Sequence, residues 1–173
     1  MKKLCLIFAV ITVLIISGCE KNISNQQINQ TSPPSLYSVN LDIKFKDTEM
    51  KAELIRHSSQ KHEIQMLSPE ILTPLSLVYE NGACTVTYDG LTFETDLKRF
   101  PQVEFGALLT HALNDIDTGI TTKSSSDKTT VIHKGITDYG DFSLSQDTAT
   151  GLWKEFTVNG IPLKVVFSDY KIN

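Results

Sequence analysis

Asp117-Thr118-Gly119 is the triplet in this chain that most resembles a catalytic core. With Ile116 before it and Ile120-Thr121 after it, the run matches the Asp-Thr-Gly pattern of aspartic proteases. That chemistry needs two carboxylates sharing a proton, so one copy serves only in a homodimer, and the Asp must sit on a loop after a strand. The residues ahead of Asp117 have helical spacing instead, which makes the triplet a helix C-terminal turn and leaves the dimeric protease as the enzymatic alternative. As an EF-hand loop the run fails, because Gly119 comes one place early and no Glu follows at the required distance. His57, His62, His111 and His133 show no metal-ligand spacing. His57 and His62 flank a turn at Ser58–Lys61, and both are expected to be exposed. Gly-x-Ser-x-Gly, phosphate-loop and Cys-x-x-Cys patterns are absent from the sequence. No catalytic residue, metal or cofactor is therefore expected, and the chain reads as a non-enzyme.

The three cysteines carry a different chemistry. Lys2 and Lys3 precede an uncharged apolar run, Leu4 to Ile16, too short for a permanent membrane span and of the right length for a signal peptide. Its end, Ile16-Ser17-Gly18-Cys19, resembles a bacterial lipobox. The resemblance implies that the Cys19 sulfur receives a diacylglyceryl group and that the leader, residues 1–18, is cut away before it. The competing reading is an ordinary secretory leader in which Cys19 is incidental. Cys5 leaves with the leader and Cys19 is taken by lipid, so Cys84 has no intrachain partner. It lies in an apolar strand segment with no cation nearby, the setting of a small buried hydrophobe.

Cleavage removes two of the 16 basic residues, leaving 14 against 20 acidic ones, a net charge of −6. That balance excludes nucleic acid as a partner and argues against an electrostatic grip on anionic lipid. Membrane contact is expected through the lipid on Cys19, at the extracytoplasmic face of the cell membrane. Residues 19–35 are rich in Asn, Gln, Ser and Thr, with Pro33-Pro34 near the end, and read as a flexible tether. Residues 36–173 form the folded domain.

Within that domain the period is two. Tyr37, Val39, Leu41, Ile43 and Phe45 alternate with polar residues, and Met50, Ala52 and Leu54 mark the return strand. Ile64 and Met66 continue the pattern up to Ser68-Pro69, and a turn or single helical turn is expected between Pro69 and Pro74. Asn81-Gly82 and Asp89-Gly90 are hairpin turns between the runs Leu75–Tyr79, Ala83–Tyr88 and Leu91–Phe93. The period then changes: Phe105, Leu108, Leu109, Ala112, Leu113 and Ile116 fall three and four apart, the stripe of one amphipathic helix. Pro101 suits its first turn, Gly119 its stop, and its opposite face, Thr110, His111, Asn114 and Asp115, is expected to be wet. Thr121–Asp127 reads as a polar loop. Strands resume at Thr129–Lys134, Asp141–Ser145, Leu152–Val158 and, after Asn159-Gly160, Leu163–Phe167. One helix must bury its stripe on the sheet, so the expected fold is mainly β (α+β): an unclosed antiparallel β-barrel, or strongly curved sheet, wrapped around that helix.

Leu144-Ser145-Gln146-Asp147, Gly151-Leu152-Trp153 and the closing Val165-Val166-Phe167-Ser168-Asp169-Tyr170-Lys171 resemble the LolA-like lipoprotein-carrier superfamily, over roughly Tyr37 to Lys171. The resemblance implies an open β-barrel folded over helices. It also implies a non-enzymatic role: holding a lipid or acylated protein, or a partner protein. Within the same fold it extends to GerS-type germination lipoproteins, which implies an alternative as an accessory of a cell-wall hydrolase such as an amidase. Lipidation at Cys19 argues for a stationary receptor over a diffusing shuttle. The candidate cavity lining for an acyl chain is the helix stripe, Phe105, Leu108, Leu109, Ala112, Leu113 and Ile116, facing Trp153, Phe156, Val165 and Phe167. A solid core is the plainer reading of the same residues.

Overall fold

The computed structural model describes residues 31–95, 104–125 and 127–172. The leader, Cys19, residues 19–30 of the tether and the expected Pro101 helix start lie outside them.

Alternation builds the first half as a meander: β1 (Tyr37–Phe45), β2 (Thr48–Arg56), β3 (Lys61–Ser68), β4 (Leu75–Glu80), β5 (Ala83–Tyr88) and β6 (Leu91–Thr95). A single 3-10 turn, Glu70–Leu72, fills the space between Pro69 and Pro74. The helix α1 (Glu104–Asp117) follows, and then β7 (Thr122–Ser125), β8 (Thr130–Thr137), β9 (Gly140–Asp147), β10 (Trp153–Val158) and β11 (Leu163–Ile172). All eleven strands form one antiparallel sheet in the order β6-β5-β4-β3-β2-β1-β11-β10-β9-β8-β7. The first and last strands meet at the centre, with Leu41 opposite Phe167 and Ile43 opposite Val165. Among the described residues β6 and β7 are the two edge strands, and the sheet curves around α1 without closing.

Strand parity decides what faces the helix. On β1 every second residue from Tyr37 to Phe45 is buried. The same inner face carries Met50, Ala52 and Leu54 on β2, Ile64 and Met66 on β3, and Phe142 and Leu144 on β9. With α1 they make one continuous hydrophobic cluster. Each fully buried aliphatic or aromatic side chain there contributes about 1.5–3 kcal/mol of transfer free energy, which makes this layer the main stabilising element. β11 carries a bulge between the partners of Ser38 and Asn40, and Asp169 there has φ 51°.

Three sequence expectations are corrected. Thr121–Asp127 is not wholly loop: Thr122–Ser125 pairs with β8 as an edge strand, which its short polar sequence did not announce. Thr110 is not on a wet face. It is 4% exposed and donates to the Gly106 carbonyl at 2.9 Å, because the β4–β5 hairpin end closes over that side of α1. His62 is not exposed but fully buried, since its place on β3 gives it the inward parity of Ile64 and Met66.

The last residues before the domain are held to it. Thr31 donates its N–H to the Thr148 carbonyl at 3.1 Å and its hydroxyl to the Ala149 carbonyl at 2.9 Å. Gly151, at φ 76°, lies so close that a Cβ there would come within 2.6 Å of the Ser32 carbonyl oxygen. Thr31 and Ser32, ahead of Leu36, thus lie on the β9–β10 turn.

Candidate ligand site

All ten residues expected to line a cavity come together. Phe105, Leu108, Leu109, Ala112, Leu113, Trp153, Phe156, Val165 and Phe167 are buried, and Ile116 packs against them half-buried. They belong to one core cluster, so a ligand placed among them must displace α1.

The inner face is not covered throughout. On β5, Cys84 and Val86 are buried, and Tyr88 shares their parity. Register puts Phe93 opposite Val86 and Leu91 opposite Tyr88, so both β6 residues also point to the inner face. There α1 does not shield them: Tyr88, Phe93 and Leu91 are 39%, 41% and 72% exposed. Ile71, on the 3-10 turn, is 72% exposed beside them, its carbonyl accepting from the Tyr88 hydroxyl at 3.2 Å. The result is an apolar strip on the inner face at an open sheet edge, a position where isolated exposure of single hydrophobes does not explain the clustering.

The opposite end of the same face is polar. Tyr37, Arg56, His62, Tyr79 and Cys84 are cross-strand partners in unbroken succession from β1 to β5. All five are buried. Arg56 Nη2 donates to Asp117 Oδ2 at 2.5 Å, joining β2 to the last residue of α1. Arg56 Nε and Nη1 and both ring nitrogens of His62 have no hydrogen-bond partner. Burial, aided by the Arg56 charge, lowers the His62 pKa to about 4, so the ring is neutral at pH 7. Burial raises the Asp117 carboxyl above its ordinary value, with Arg56 opposing. The Tyr37 hydroxyl lies beside Arg56 and the Trp153 indole, and burial pushes it up to about 12. Burial likewise raises the Cys84 thiol to about 11, which makes it the inert hydrophobe its sequence setting implied. Asp117 thus serves an ion pair and a helix end, with Gly119 at φ 74° in the turn that follows.

Two pockets open among the described residues. One of about 170 Å³ opens between α1 and the β4–β5 hairpin, meeting the polar row at Tyr79, with Gln60, Glu80, Thr110 and Asn114 among its other walls. The other, about 480 Å³, is a shallow groove on the outer face, where Lys44, Lys51 and Lys164 are paired with Glu49, Asp42 and Glu155. Among the described residues no group of His, Cys, Asp and Glu is placed to hold a metal, and no helix is long and apolar enough to cross a membrane.

The polar row was missed in the sequence, although its signal was present. Arg56 continues the inward series Met50, Ala52, Leu54, and His62 begins the series Ile64, Met66.

No family model and no curated protein matches the chain. Solved structures do. An uncharacterized conserved protein from Thermus thermophilus aligns with a TM-score of 0.52 at 10% identity, over 81% of this chain and 80% of that one. A LolA superfamily protein from Nitrosomonas europaea aligns with a TM-score of 0.46 at 11% identity, over 84% and 90%. The first likeness is one of fold; the second, below 0.5, adds nothing to it.

Proposed function

We propose that this protein is a non-enzymatic binding protein for a hydrophobic ligand, a lipid or the acyl chain of an acylated protein. It is held at the extracytoplasmic face of the cell membrane by lipid on Cys19. The observation that carries the reading is the apolar strip of Tyr88, Leu91 and Phe93, exposed on the inner face at the β6 edge of the sheet, with Ile71 exposed on the neighbouring 3-10 turn. A curved sheet with a free edge can accept a chain along that strip without unfolding. The interior formed by the α1 stripe and Trp153, Phe156, Val165 and Phe167 is the continuation such a chain enters when α1 yields. Binding sites of this kind are concave and mainly apolar, with few polar groups fixing orientation.

The test is native mass spectrometry of the Cys19→Ala chain purified without detergent, with and without added lipid. A bound lipid is expected, and it is expected to be lost in Ile71→Asp/Leu91→Asp, which leaves the fold intact because both side chains are 72% exposed. Lipid-free spectra at all added concentrations overturn the reading.

A further inference from the structure

The row Tyr37–Arg56–His62–Tyr79 crosses the strands at right angles to the chain, in a layer made mostly of aliphatic and aromatic side chains, where the buried polar pair His133 and Gln146 is hydrogen-bonded on the far strands. Buried donors are normally paired, because each unpaired group forfeits its solvation. Here Arg56, 6% exposed, leaves Nε and Nη1 without acceptors, and fully buried, neutral His62 leaves one ring N–H and one acceptor nitrogen without partners. The concentration of such groups in one row marks a place built to receive an acceptor from outside the chain.

Its present counterion is poorly placed. Asp117 is the last residue of α1, where the negative pole of the helix disfavours a carboxylate, and the last turn carries no basic residue to offset it. Its side chain keeps 21% exposure, so it sits at the rim while Arg56 lies behind it. The 170 Å³ pocket adjoins the row at Tyr79, with Gln60, Thr110, His111 and Asn114 on its walls beside Glu80, which is paired with Lys61. That volume suits a head group and not a long chain.

We propose that the row and the adjoining pocket form a site for the carboxylate or phosphate head group of an amphiphile, which takes the place of Asp117 on Arg56. The inference rests on the hydrophobic-ligand reading for the tail and adds the charge that selects the ligand. A carboxylate or phosphate is the group that matches a guanidinium with open N–H donors, and charge-assisted bonds in a dry setting are the strong ones. The neutral His62 ring supplies one further N–H donor without adding charge.

Trp153 is the single tryptophan of the chain and borders the row, so its emission reports on the site. The experiment titrates the Cys19→Ala chain with dodecanoate, with dodecanol, which shares the tail without the charge, and with inorganic phosphate. Dodecanoate is expected to bind at least tenfold more tightly than dodecanol. Asp117→Asn, which frees Arg56 of its competitor, is expected to tighten dodecanoate severalfold and leave dodecanol unchanged. Arg56→Met is expected to abolish the preference; should it fail to fold, Asp117→Asn alone decides. Equal affinity for dodecanoate and dodecanol, unchanged in Asp117→Asn, overturns the head-group site and leaves the hydrophobic reading standing. A Trp153 response to phosphate, stronger in Asp117→Asn, with no dodecanol binding, upholds the site and overturns that reading. No response to any of the three overturns both.

Discussion

Arg56 Nη2 and Asp117 Oδ2 lie 2.5 Å apart, and through them the end of β2 holds the C-terminal residue of α1 against the sheet. The guanidinium is 6% exposed and the carboxylate 21%, so the two ends of the pair are unequal. Removing the carboxylate leaves a buried cation, whereas removing the cation leaves a carboxylate that water can reach. Arg56 also fills a core position with its aliphatic stem.

Arg56→Met is expected to lower stability by about 2–4 kcal/mol, towards the cost of breaking a buried pair. Asp117→Asn keeps a neutral acceptor for Nη2 but leaves the buried guanidinium without its countercharge, and is expected to cost about 2–4 kcal/mol. Urea denaturation of both variants and the double variant should show a coupling of at least about 1 kcal/mol. Strict additivity would mean that the two groups act independently.

Acid should destabilise the fold through His62. Its pKa falls from 6.5 to about 4 on folding because burial disfavours the charged ring. A depressed folded value means stability that is complete above pH 6.5 and lost as pH falls towards 4. The loss is about 3 kcal/mol by linkage. Burial lowers His133 in the same sense. His62→Gln is expected to flatten the stability profile between pH 6.5 and 4, leaving a smaller slope from His133. A profile unchanged by the substitution would show that His62 titrates normally.

Gly106 admits no side chain. A Cβ there would lie 2.4 Å from the Tyr79 hydroxyl oxygen and 3.0 Å from Ile64 Cδ1. Gly106→Ala should therefore destabilise by about 1–3 kcal/mol in spite of the gain of up to about 1 kcal/mol in helix propensity. Adding Tyr79→Phe, which removes the clashing oxygen, should recover part of the loss in thermal unfolding.

The Cys84 thiol, 1% exposed and raised to about 11, should react with a disulfide reagent only when the chain opens. Labelling of the Cys19→Ala chain without its leader, which leaves Cys84 as the one thiol, should follow the opening equilibrium and accelerate with urea. Rapid labelling under native conditions would contradict its burial.

Gly151→Ala should release the residues ahead of β1. The new Cβ meets the Ser32 and Thr31 carbonyls, and φ 76° is already unfavourable for alanine. Hydrogen exchange at the Thr31 amide, bonded to Thr148, should rise at least tenfold in the variant while β1 and β11 stay protected.

The amino-acid sequence by itself determined the local elements. Alternation from Tyr37 to Phe45 marks a strand with one dry face, Asn81-Gly82 marks a hairpin, and the spacing from Phe105 to Ile116 marks a helix that must lie on a sheet. These signals act between near neighbours, so a linear reading contains them. β7 escaped because an edge strand needs no apolar pattern; its pairing with β8 supplies what its residues do not. Thr110 escaped because the hairpin that covers it comes from another part of the chain. The candidate site escaped for the same reason on a larger scale. Arg56 and Asp117 are 61 residues apart, and Tyr37, Arg56, His62 and Tyr79 become neighbours only through strand register. Register depends on the whole sheet closing β1 onto β11 around α1, and the burial that sets the charge states of His62 and Asp117 exists only after that has happened.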